Sequence, residues 1–208
     1  MPLNVVIKNG GEGIYEEKKS RFIAKVYSVD TEEEAGEYIE AARKKYWDAR
    51  HNCSAFVIGS KNEITRCSDD GEPSGTAGRP MLEVLLGQEV HNVAVVVTRY
   101  FGGVLLGTGG LVRDYTKAVQ EGLANSQIAT LAYGTAMKIE TDYNGIGKLQ
   151  YILGKAGVTI QKSEYTDVVT LEVFLLQEQK DFVLKEMTEA TAGKCKFEDL
   201  GSRYELLL

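Results

Sequence analysis

Cysteine is scarce: Cys53, Cys67 and Cys195 are the only three in 208 residues. An odd number at wide spacing indicates neither a disulfide framework nor a zinc module. Adding the two histidines, His51 and His91, closes no ligand set, so no metal and no cofactor is expected. His51 and Cys53 lie two apart at a strand start and read as core or loop residues, and His91 as a surface loop residue. No apolar run is long enough to span a bilayer. Glu12, Glu16, Glu17, Lys18, Lys19 and Arg21 make the segment from Met1 to Ile23 too charged for an export signal. A cytoplasmic protein without a membrane partner is therefore expected. A basic excess is also missing, for the net charge is −6. Residues 1–130 carry 15 Lys+Arg against 18 Asp+Glu, and residues 131–208 carry 9 against 12, so each part is −3. That excludes broad affinity for nucleic acid and leaves anion binding to a local cluster. There is no Gly-Lys-Ser/Thr triplet, hence no P-loop. Gly107-Thr108-Gly109-Gly110-Leu111-Val112 puts Val112 where a dinucleotide fingerprint needs its third glycine. No serine sits in a nucleophile elbow.

What remains is an ordinary globular mixture, 43% hydrophobic and 26% charged, enough for one large domain or two small ones. Arg21 to Val29 alternates as a strand with Phe22, Ala24, Val26 and Ser28 on one face. Asp30 or Thr31 caps a helix to about Tyr46. Glu32, Glu33 and Glu34 stand in its first turn and Lys44 and Lys45 near its end, as the helix dipole favours. Trp47 reads as a hydrophobic lid on that helix. Strands follow at Cys53 to Gly59 and Glu63 to Cys67, and a short helix at Met81 to Leu86. The apolar run Val93 to Arg99 is a strand buried on both faces. Leu111 to Ala124 is a helix. From Leu131 the pattern changes to strand, helix, two strands joined at Thr166-Asp167, helix, strand. That βαββαβ order is that of a ferredoxin-like sandwich. Two α+β domains are expected, 1–130 and 131–208, with no Pro/Ser-rich linker between them.

Two segments can carry chemistry. Ser68 to Pro80 holds Asp69, Asp70 and Glu72 among small hydroxyl residues and glycines, followed by Arg79. Thr98 to Tyr115 runs from a buried strand through a loop with five glycines into a helix. Gly102, Gly103, Gly107 and Gly109 let backbone N–H groups turn inward, and the following helix adds its positive end. Arg79, Arg99 and Arg113 offer forked donors for phosphate. Tyr100, Phe101 and Tyr115 can stack on a base. The acidic segment is either a divalent-metal loop or a solvated turn. Equally, Arg99 and Arg113 can pair with Asp69, Asp70 or Glu72 and serve structure alone.

Asp69 to Leu82 (DDGEPSGTAGRPML) and Thr98 to Tyr115 (TRYFGGVLLGTGGLVRDY) resemble the signature of the IMPACT/YigZ family, in order and spacing. Lys18 to Ala24 (KKSRFIA) and His51 to Gly59 (HNCSAFVIG) are similar to the same family's N-terminal domain. Residues 131–208 resemble the smaller second domain of bacterial members. The resemblance implies an N-terminal domain with the fold of the second domain of ribosomal protein S5. It also implies a C-terminal ferredoxin-like domain similar to the last domain of elongation factor G. Eukaryotic members regulate translation through a partner protein, interfering with activation of the initiation-factor kinase that senses amino-acid starvation. The expectation is a binding protein that regulates translation through RNA, the ribosome or a translation-associated protein. The alternative is a hydrolase or phosphate-handling enzyme with Asp69, Asp70 or Glu72 as base or metal ligand. A third reading is a protein-interaction module without a small ligand.

Overall fold

The computed structural model describes residues 4–207; residues 1–3 and 208, the outermost positions of the two expected domains, lie outside it. The chain forms two compact units, 4–130 and 131–207.

The first unit contains β1 (Asn4–Asn9), β2 (Glu12–Glu17), β3 (Ser20–Ser28), α1 (Glu32–Lys45), β4 (His51–Ile58) and β5 (Ile64–Ser68). It continues with α2 (Gly78–Gly87), β6 (Val90–His91), β7 (Val93–Tyr100) and α3 (Thr108–Ala124). Five strands make an antiparallel sheet in the order β2-β3-β7-β4-β5. Alternate residues of a strand point to opposite faces. Val93, Val95 and Val97 therefore join Phe22, Ala24, Cys53, Ala55, Met81, Leu85, Leu111, Tyr115 and Val119 in one core, under α2 and α3. Ala94 faces the other way and packs with Phe56, Ile58 and Ala35 of α1. Both faces are covered, which is why β7 reads as a continuous apolar run rather than an alternating one. This unit has the fold of ribosomal protein S5 domain 2.

Thr31 caps α1. Its hydroxyl accepts from the Glu34 N–H at 3.2 Å, while the Glu34 carboxylate accepts from the Asp30 N–H at 2.7 Å. This reciprocal arrangement satisfies backbone donors that a helix start leaves open. Trp47 is no lid: it is 82% exposed. The helix ends at Tyr46, which closes on Ala42, and the chain turns outward before reaching Trp47. His91 is not in a loop either. It is half-buried in β6, its Nδ1 3.2 Å from the Gly59 carbonyl.

The second unit takes in β8 (Gln127–Thr141), α4 (Ile146–Lys155), β9 (Ile160–Tyr165), β10 (Val169–Leu176), α5 (Lys180–Ala190) and β11 (Lys196–Leu207). β8 starts in the first unit, so the chain passes from one unit to the other within a strand. β10 lies antiparallel between β8 and β9, and β11 pairs with the other edge of β8. Met137, Ile139, Leu171, Val173 and Leu175 turn one face of the sheet toward Leu149, Ile152, Leu153, Val183 and Met187 of the two helices. Gly157 (φ 68°) ends the first helix, and the Val158 N–H closes back on Leu153 at 2.9 Å. This is the ferredoxin-like sandwich.

Candidate functional site

The Ser68 to Gly78 segment folds around Asp69. Its carboxylate accepts from the N–H groups of Gly75 (2.8 Å), Ala77 (3.0 Å) and Gly78 (2.8 Å), the last being the first residue of α2. Burial, the largest single influence, pushes its pKa up. The three amides together outweigh it and hold the carboxyl below the ordinary aspartate value. Asp70 accepts from the Asn52 N–H at 2.7 Å and from Arg43 Nη2 at 3.2 Å. Asp69 and Asp70 thus both serve as acceptors that hold the segment in place. Among the described residues no group of three or more His, Cys, Asp or Glu is placed to hold a metal ion.

Glu72 lies deeper, its side chain 3% exposed. Its Oε1 accepts from Arg99 Nη1 at 2.6 Å and from the Tyr115 hydroxyl at 2.9 Å. The Cys53 thiol donates to the Tyr115 oxygen at 3.2 Å and approaches the Asp69 carbonyl at 3.1 Å. Burial raises the pKa of both Cys53 and Tyr115, so thiol and phenol stay protonated. The Arg99 guanidinium sits between the rings of Phe22 (5.5 Å) and Phe101 (5.6 Å), which adds a cation–π attraction to the ion pair. His51, opposite Arg99 across β4 and β7, turns Nδ1 to the Asp70 carbonyl at 2.8 Å. A carbonyl only accepts, so Nδ1 carries the proton. Its Nε2 is 3.8 Å from Glu72, beyond hydrogen-bond length.

The glycine loop closes the other side. Gly102 donates to Ser20 Oγ at 3.2 Å, and a Cβ there would lie 2.0 Å from the Lys19 carbonyl carbon. Only glycine fits that approach. Gly107 (φ 75°) precedes α3 with no side-chain cap, so the first-turn N–H groups of α3 point outward without an intrahelical partner. The acidic segment and the glycine loop meet at a pocket of about 410 Å³. Arg50, His51, Glu72, Pro73 and Arg99 line one side; Phe101, Leu105, Leu106, Gly107, Thr108 and Leu111 line the other.

Several expected contacts are corrected by this geometry. Tyr115 is fully buried and edge-on to Phe22 at 5.1 Å, so it cannot stack on a base. Arg99 is paired with Glu72, as the purely structural reading of the arginines allows. Arg79 points to solvent and pairs with Glu83 one turn on, at 2.8 Å. Arg113 is on the exposed side of α3, Gly109 follows Thr108 in its first turn, and Gly103 (φ 84°) stands in the loop. Tyr100 is half-buried and donates to Asp48 at 2.9 Å. None of these five residues lines the pocket. Arg50, Phe101, Leu105 and Leu106 do, and of these only Phe101 stood out in the sequence. The others are placed by the pairing of His51 with Arg99 across two strands, which no local pattern reports.

Comparison with known proteins agrees with this architecture. Residues 18–123 match the Impact N-terminal domain, and residues 139–194 match a domain of unknown function, DUF1949. The chain is 42% identical over 188 residues to IMPACT family member YvyE of Bacillus subtilis, covering 90% of this chain and 87% of that one. It is 39% identical over 164 residues to IMPACT family member YigZ of Escherichia coli, covering 78% and 80%. Protein IMPACT-B of Xenopus tropicalis is 38% identical over 102 residues, 46% of this chain and 32% of that one. A crystal structure described as that of a hypothetical protein superposes with a TM-score of 0.62 at 32% identity, covering 97% and 98%. The pocket-forming segments both fall inside the matched N-terminal region, and the chain belongs to the IMPACT family.

Proposed function

We propose that this chain is a noncatalytic, cytoplasmic binding protein that regulates translation by docking a translation-associated protein on the surface around its N-terminal pocket. The observation that carries this reading is the loop from Phe101 to Gly107. Leu105 is 84% exposed at the pocket rim, and Val104 and Phe101 are exposed beside it. Trp47 is exposed as well, and its neighbour Asp48 is tied to Tyr100 at the base of the loop. Apolar side chains held out on a loop anchored at Gly102 suit the buried centre of a protein interface. The carboxylates that an enzyme would use are committed to backbone amides or to Arg99. RNA fits less well, since Arg99 and Tyr115 are withdrawn into the core and the net charge is −6. Kinship with the eukaryotic IMPACT proteins supports the regulatory part of this reading.

Affinity capture from nuclease-treated lysate tests the reading, with Leu105→Asp as the matched control. Translation factors or ribosomal proteins should be enriched by the unaltered chain and lost with the variant. Enrichment that disappears with nuclease, or that Leu105→Asp leaves intact, would overturn it.

A further inference from the structure

Three polar features converge on the N-terminal pocket without a mutual partner. Arg99 is 6% exposed and lines the wall, yet its Nε has no hydrogen-bond partner. A buried donor left open costs free energy unless something occupies it. Arg50 lines the same pocket from its exposed rim, with no ion pair among the described residues. The first turn of the 17-residue helix α3 opens there too, uncapped, with Gly107 and Thr108 in the wall. Phe101, Leu105, Leu106, Leu111 and Pro73 supply the apolar part of the lining. An apolar cleft with a few convergent polar groups, within the usual range of about 300–1,000 Å³ for small-ligand sites, is built to hold a ligand.

We infer that this pocket takes the carboxylate of a ligand with an apolar body, held by the α3 first-turn amides, Arg50 and the Arg99 Nε. The charge balance selects the anion. Glu72 neutralises Arg99 at 2.6 Å, which leaves Arg50 and the roughly half-charge of the helix start. A single negative charge matches that field. A dianionic phosphate would bring a second charge close to buried Glu72. The carboxylate is planar, and two of its lone pairs can take parallel bonds from a guanidinium edge, while the aliphatic or aromatic remainder lies on Phe101 and Leu106. A peptide C-terminus and a small carboxylic acid share this chemistry. The inference stands apart from partner docking, because a small acid satisfies it without any protein partner.

The test is a titration of 15N-labelled full chain, followed by amide NMR, with two matched pairs of probes. The first pair is 3-phenylpropionate and its amide; the second is N-acetyl-leucyl-phenylalanine with a free or an amidated C-terminus. Shifts at Thr108, Gly109 and Gly110 are expected with the acids, and at least tenfold weaker binding with the amides. Saturation by the small acid assigns a small-molecule source; saturation by the peptide acid alone assigns a chain end. Thr108→Pro is the companion variant. Thr108 is the first helical residue, where proline is tolerated; the change removes the N–H together with the threonine hydroxyl, and Thr108→Val, which removes the hydroxyl alone, should leave acid binding intact. Acid binding should weaken about tenfold with the melting temperature unchanged. Equal shifts from acid and amide, silence at Thr108 to Gly110, or unweakened binding by Thr108→Pro would each overturn the inference. None of these results bears on capture of translation proteins, which is read with Leu105→Asp.

Discussion

Replacing Glu72 by alanine should loosen the N-terminal unit from its pocket floor. The carboxylate is 3% exposed and its partner Arg99 7%, with 2.6 Å between them. Removing one partner of a buried pair leaves an uncompensated charge, which costs about 3–5 kcal/mol. The Tyr115 hydroxyl loses its acceptor at the same time. Domains of this size have about 5–15 kcal/mol in total, so the variant should fold but open readily. Two units make a single global melt ambiguous. Hydrogen exchange of β7 peptides, read by mass spectrometry, reports the first unit alone. A loss of about 4 kcal/mol corresponds to exchange roughly a thousandfold faster. Glu72→Gln keeps an acceptor for Arg99 and should fall between alanine and the unaltered chain. Exchange within about threefold of the unaltered chain for Glu72→Ala would refute the reasoning. It would mean that Arg99 is solvated and free to serve as a surface phosphate contact.

Tyr115→Phe removes only the hydroxyl, and Cys53 retains the Asp69 carbonyl. A loss of about 1–2 kcal/mol in the same exchange experiment is expected, without change in probe binding. Gly102→Ala places a Cβ against the backbone of Lys19 and Ser20. It should abolish soluble expression or lower stability by at least about 3 kcal/mol, and a normal melting temperature would contradict the described loop path. The depressed carboxyl of Asp69 stabilises the fold above the ordinary aspartate pKa of about 4, and that contribution fades as pH falls through the native value. Melting temperature measured from about pH 6 down to about pH 2 should fall less steeply in Asp69→Asn than in the unaltered chain; parallel curves would remove Asp69 from the acid sensitivity. Arg79→Ala breaks an exposed pair with Glu83 and should leave both melting temperature and probe binding unchanged.

Much of the fold was legible in the sequence because its signals are local. The Glu-rich start of α1, the apolar run of β7 and the helical period of Ile146 to Ala156 each follow from a few neighbouring residues. Edge strands escaped notice: β2 is mostly exposed and carries only weak alternation, so its pairing with β3 depends on tertiary contact. The strand expected after the change of pattern at Leu131 already starts at Gln127, because exposed Gln127 and Ile128 give no burial pattern. At the site, the two signature segments identified the right region but not the roles within it. Polar type and spacing made Arg99 and Tyr115 look like surface ligand contacts. Their burial is decided by Glu72, Cys53 and Phe22 from three other parts of the chain. The exposed apolar rim at Leu105 gave no sequence signal, since leucine is read first as core.

The most direct test of the docking account is a photo-crosslinking amino acid placed at Leu105 in living cells, with the cross-linked products identified by mass spectrometry. Position 105 should yield a ribosomal protein or translation factor as its main product, and the same probe at exposed Tyr151 of α4 should not. Cross-links to RNA alone, or the same products from both positions, would contradict the assignment of this surface to a translation-associated protein.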